Sequence, residues 1–172
     1  MKLDEAKERF IQSWGALGSN WGINRTMAQV HALLLISPEP LCAEEIMELL
    51  NISRGNANMN VRALIDWGLV RKEHKSGERR EYFVAEKDIW RVAMQVIVER
   101  RKREIAPVLQ MLNEVRSVEG DPQAPEVKAF TNAVDNLDTI VSQADTFLEL
   151  MVKADQQWFA NTLLKLFQQK QG

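Results

Sequence analysis

Seven residues within ten positions, Ser53, Arg54, Gly55, Asn56, Asn58, Met59 and Arg62, combine the side chains that can read the edge of a base pair. An asparagine carboxamide can bond bidentately to adenine, an arginine guanidinium to guanine, and glycine lets the backbone come close to a groove. At about 100° per residue, Gly55, Asn56, Met59 and Arg62 share one helical face with Ala63 and Asp66, and Arg54 and Asn58 flank it near the amino end. The opposite face is apolar, with Ala57, Val61, Leu64 and Ile65 at three- and four-residue steps. Asparagine is a poor helix former, so propensity does not explain Asn56, Asn58 and Asn60. Asn60 falls nearer the apolar face, where it is expected to bond locally. Further along, Lys75, Arg79 and Arg80 bracket a glycine-containing turn, and such long cationic side chains suit a phosphate or a narrow minor groove.

Other residue types invite chemistry less strongly. Trp14, Trp21 and Trp90 could bind a quaternary ammonium ion over their faces, although aromatics at helical spacing more often fill a core or an interface. Trp67 is expected to pack the basic helix onto its neighbours. Cys42 stands alone in the sequence, so no intrachain thiol can resolve an oxidised form, and a redox role is not expected. His31 and His74 are far apart without a ligand cluster, so neither a metal site nor a cofactor is expected. There is no nucleophile and base arrangement and no phosphate loop, which speaks against an enzyme.

The elements that would position the basic face are set by local signals. Cys42-Ala43-Glu44-Glu45 has the form of a capping box with cysteine in the hydroxyl position, opening a short helix that buries Ile46, Leu49 and Leu50 and that Asn51 closes. Asn51-Ile52 makes the turn and Ser53 the N-cap of the second helix. Gly68 is placed to stop it. Leu69 to His74 and Arg80 to Val84 are strand-like runs joined by a basic tip, a β-hairpin. Helix, turn, helix and hairpin in that order are a winged helix-turn-helix.

The strings SRGNANMNVRALIDWGLV, GERREYF and AEKDIW resemble the MarR-type regulators and, more closely, their GbsR branch. The resemblance runs from Ser13 to Glu104 and is looser beyond. It implies a homodimeric transcription regulator, usually a repressor, whose dimer is formed by helices at both chain ends. It also implies a small-molecule effector, with choline-like osmoprotectants as examples in that branch.

The rest of the sequence fits a mainly α fold carrying a small hairpin wing. Phe10, Trp14, Leu17 and Trp21 form a helical stripe, and a second helix from about Thr26 ends at Ser37-Pro38-Glu39-Pro40. A long helix after Lys87 contains Pro107, expected to kink or divide it. Val127, Phe130, Val134, Leu137, Val141, Ala144, Leu148 and Met151 alternate steps of three and four, a seam that calls for a partner helix. A last short helix would carry Phe159, Leu163, Leu166 and Phe167. The expected domains are residues 1–24, an N-terminal helix in the dimer contact; 25–88, the winged helix-turn-helix; and 89–172, a helical dimerisation and effector region.

Net charge is −2, but it is unevenly spread: residues 1–50 carry −3, residues 51–103 carry +6 and residues 104–172 carry −5. The basic segment coincides with the second helix, the wing and the start of the long helix beyond it, where a DNA backbone would lie. The Arg100-Arg101-Lys102-Arg103 run, flanked by Glu99 and Glu104, reads instead as a salt-bridged face. No apolar run is long enough to span a bilayer, and the amino end lacks a signal-peptide core. The expected partners are double-stranded DNA with a pseudo-palindromic operator, a second copy of the chain and a small-molecule effector, in the cytoplasm and without a membrane. The competing reading is a winged helix that binds another protein and never engages DNA.

Overall fold

The computed structural model describes residues 1–154 of the chain, so the helix expected around Phe159 to Phe167 lies outside the described residues. The chain divides into two units, one ending at Val92 and the other beginning at Ala93.

The first unit begins with α1 (Leu3–Asn20) packed on α2 (Arg25–Ile36). The predicted stripe on α1 is not the face that is buried. Ile11, Gly15 and Gly18 turn inward, whereas Leu17 and Trp21 are 41% and 54% exposed. The glycines explain this choice. A Cβ on Gly18 would lie 2.6 Å from Ala28 Cβ, and one on Gly15 would lie 2.6 Å from Gln29 Cγ. Only a face without side chains lets the two helices approach so closely. Asn24 caps α2, its Oδ1 accepting from the Met27 N–H at 3.0 Å. At its other end, Lys87 Nζ donates to the carbonyls of Leu34, Leu35 and Ser37. These are acceptors that the end of a helix leaves without intrahelical partners.

The helix-turn-helix is α3 (Ala43–Leu50) and α4 (Arg54–Asp66). Glu45 accepts from the Cys42 N–H at 2.7 Å, the glutamate half of the capping box. Asn51 closes α3 in the left-handed conformation at φ 51°, a region that asparagine enters more readily than other side chains. The Ile52 N–H then donates back to the Met47 carbonyl. At the end of α4, Gly68 has φ 69°. Its N–H donates to Ile65 O and that of Leu69 to Leu64 O, both at 2.9 Å. This pair of bonds is the Schellman stop that Gly68 predicts.

The wing is β2 (Val70–His74) and β3 (Glu81–Ala85), antiparallel, with Val70 opposite Ala85 and His74 opposite Glu81. A two-residue strand, β1 (Leu41–Cys42), lies on the outer side of β3, so the hairpin is the major part of a three-stranded sheet in the order β1-β3-β2. Val30, Leu34, Ile46, Ala57, Val61 and Leu64, each 2% exposed or less, join α2, α3 and α4 in one core. Trp67, Phe83 and Ala85 are also buried.

The second unit is helical. It begins within α5 (Ile89–Arg100), whose first turn, still in the first unit, is opened by Asp88 Oδ1 accepting from the N–H groups of Trp90 and Arg91. A π segment (Arg101–Ile105) comes next and leads into α6 (Ala106–Val115). Pro107 therefore does not divide the helix. The turn before it widens, and the Ala106 N–H donates to the Arg101 carbonyl, five residues back. α7 (Pro125–Lys153) packs on α6 and on the π segment. Arg101 fixes that packing with a bidentate bond to Asp145, at 2.7 and 3.0 Å, and a longer contact to Glu149. Val134 is the buried member of the predicted seam, while Phe130 and Leu137 are 43% and 53% exposed. Among the described residues, no helix is long and apolar enough to cross a membrane.

Candidate nucleic-acid interface

The residues predicted to read DNA fall on α4 and the wing, with different degrees of freedom. Ser53 is exposed and caps α4, its Oγ accepting from the Asn56 N–H at 3.3 Å while its O–H keeps a donor to offer. Arg54, Gly55, Met59 and Arg62 are exposed, and Asn56 and Asn58 are half-buried. Met59 keeps 59% of its surface open, a large apolar side chain that this fold does not use in its core. Gly55 is equally uncommitted, since a Cβ built there would meet nothing within 4 Å. No neighbour among the described residues requires glycine at that position of a helix, in contrast to Gly15 and Gly18.

The arginines separate into paired and unpaired. Arg54 donates to Glu44 of α3 at 3.1 Å. The Glu44 carboxyl is held below its ordinary 4.5, first by its own main-chain N–H, then by Cys42 and by the charges of Arg54 and Arg80. Arg62, Arg79 and Arg80 are exposed. None has a carboxylate within ion-pair distance among the described residues. Arg62 nevertheless lies close enough to the wing for its charge to help lower the Glu81 carboxyl, whose main cause is a 2.7 Å hydrogen bond from Lys72. Lys75 sits over the Tyr82 ring at 4.2 Å, and the Tyr82 hydroxyl donates to Glu78. That bond pushes the tyrosine up to about 12. The base of the wing tip is thus tied to the sheet, and Arg79 and Arg80 project from it.

Asn60 bonds locally, as its place near the apolar face predicts. It is 2% exposed, and its Nδ2 donates to Asn56 O at 2.8 Å and to Asn56 Oδ1 at 2.6 Å. The signal lay in its position on the apolar side of α4 with a polar residue one turn earlier.

Trp14 stacks on Phe10 at 5.5 Å and lies 6.3 Å from His31. Trp21 comes directly after the last turn of α1, and Trp90 is half-buried in the first turn of α5. A cleft of about 690 Å³ in the first unit runs between α1, α2 and the end of α3, and Trp14, Trp21 and Trp90 are absent from its walls. Cys42 is 1% exposed, and burial pushes its thiol up, opposite to what a reactive thiolate needs. The Arg100 to Arg103 run is engaged in ion pairs, Arg100 with Glu104, Arg101 with Asp145 and Arg103 with Glu99.

A capped helix-turn-helix, an exposed basic second helix and a cationic β-wing define a winged helix-turn-helix protein. Comparison with known proteins agrees, and residues 21–81 match the model of the MarR family. HTH-type transcriptional repressor GbsR of Bacillus subtilis (strain 168) is 24% identical over 115 residues, which are 67% of this chain and 63% of that protein. The match thus spans less than two thirds of the relative's length. A crystal structure of a transcriptional regulator shares the fold with a TM-score of 0.55 at 21% identity, over 84% of this chain and 98% of that one. The resemblance to MarR-type regulators and to their GbsR branch is borne out.

Proposed function

We infer that this chain is a transcription regulator that binds double-stranded DNA sequence-specifically, with α4 in the major groove and the wing on the flanking backbone. The observation that carries this reading is the trio of exposed cations on α4 and the wing, Arg62, Arg79 and Arg80, which have no carboxylate at ion-pair distance among the described residues. Arg54, Arg100 and Arg101, by contrast, pair with carboxylates. The match of residues 21–81 to the MarR family and the name of the Bacillus subtilis relative support a regulator, and a repressor in particular. Repression would result from occupying a promoter.

The functional unit in this reading is a homodimer in the cytoplasm, reading half-sites about one helical turn, roughly 10 bp, apart on a pseudo-palindrome. Exposed apolar side chains on α1 and α7, including Leu17, Phe130, Leu137 and Phe147, supply surface for the second copy. A small-molecule effector would act only through its difference in affinity for the DNA-fitting and non-fitting states.

Titrating the chain with double-stranded DNA over a range of salt tests the electrostatic half of this reading. Binding should weaken with salt, and Arg79→Ala with Arg80→Ala should lower the slope by about 0.9 for each phosphate no longer neutralised. An unchanged slope would remove the wing from the backbone. Absence of salt-dependent binding would favour a winged helix that docks on a protein.

A further inference from the structure

We propose that Asn60, a residue no DNA could touch, sets which bases Asn56 accepts. The proposal rests on the DNA-binding reading and deepens it. Asn60 is buried where α4 meets the core, and its one amide nitrogen donates to two acceptors of the same residue, Asn56 O at 2.8 Å and Asn56 Oδ1 at 2.6 Å. Two amide hydrogens serve two oxygens, so the donor is fully used.

The consequence falls on Asn56. A free asparagine carboxamide can rotate to present either its oxygen or its NH₂ to a base, which makes it a permissive reader. Here the rotation is blocked. Turning the Asn56 amide over would bring its NH₂ against the NH₂ of Asn60 at a distance where only a donor and an acceptor can coexist. Asn56 is also held at its main chain by Ser53, so its backbone cannot shift to compensate. Its Oδ1 is therefore kept toward Asn60, and its NH₂ is the group left to face outward. A donor facing the major groove suits the N7 acceptor of either purine, the O6 of guanine or the O4 of thymine, and it opposes cytosine, which presents only its N4 donor. Asn60 is thus a positioning residue that converts Asn56 from a permissive contact to a directional one.

Selection from a random double-stranded DNA library by the full chain tests this. The wild type should select against cytosine at one position of each half-site. Asn56→Ala and Asn60→Ala should both flatten that same position, by about fivefold or more, and the double variant should flatten it no further than Asn56→Ala alone. The other positions and the salt dependence should be unchanged in Asn60→Ala. A uniform loss of affinity across positions, or flattening at a position different from that of Asn56→Ala, would reduce Asn60 to a core residue and overturn the proposal.

Asn56→Asp leaves the core intact and is informative even where Asn60→Ala fails to fold. It keeps two acceptor oxygens and removes the outward donor, so the preference should move toward cytosine. An unaltered preference also overturns the proposal. A wild-type chain that selects no motif at all overturns the DNA-binding reading itself, an outcome distinct from a motif that ignores Asn60.

Discussion

Arg62 and Gly55 are two residues of α4 whose identities the fold does not explain. Arg62 is exposed and unpaired among the described residues, and Gly55 has open space where a Cβ would stand. If Arg62 contacts a base, Arg62→Ala should cost about 1–3 kcal/mol of binding to the selected site and much less on random DNA. Equal weakening on both would assign it to a phosphate instead. Gly55→Ala separates stability from function more sharply. Alanine in a helix is favoured over glycine by roughly 0.5–1 kcal/mol, so this variant should melt at a higher temperature while binding DNA more weakly, because the added methyl would stand between helix and groove. Unimpaired binding would show that α4 does not approach DNA at its amino end.

Among the elements, α2 is buried almost all round, and it carries His31, 4% exposed, with no hydrogen-bond partner for its Nε2 among the described residues. Burial, and secondarily the charge of Lys87, push this histidine down from 6.5 to about 4. The folded state therefore takes up its proton later than the unfolded chain does as pH falls. Stability from this group is complete above 6.5 and is lost as pH falls from there to about 4. Within that window the loss is about 1.4 kcal/mol per pH unit at most. Urea unfolding of the wild type and of His31→Leu across that range should show the shallower pH slope in the variant. Identical slopes would mean that His31 is solvated in the folded state.

Much of the first unit was legible in the sequence because its signals are local. The Asn51 and Gly68 stops, the Ser53 cap and the period of α4 each depend on residues within a turn of one another. The features that were not legible depend on residues distant in sequence. The buried face of α1 is decided by Gly18 meeting Ala28, and a stripe of Phe10, Trp14, Leu17 and Trp21 gives no hint that two glycines outrank it. β1 is two residues long and exists only because β3 returns beside it. The helix survives Pro107 because a π segment absorbs the missing bond. Of the candidate interface, the exposed basic face was readable, but the Asn60 to Asn56 bond and the Arg54 to Glu44 pair needed side-chain positions.

At the scale of the whole molecule, charge is spread unevenly along the chain. A chain with net charge −2 carries +6 on residues 51–103, which include α4 and the wing, the sign of charge that a DNA backbone would attract. Two copies would double the basic surface and match two half-sites. The measurement that tests DNA recognition most directly is sequencing of genomic fragments retained by the full chain at about 0.15 M salt, where purely electrostatic binding is weakened. Enrichment of a pseudo-palindromic motif, weakened in Arg62→Ala, is the predicted result; a folded chain that retains no fragment above background would contradict it.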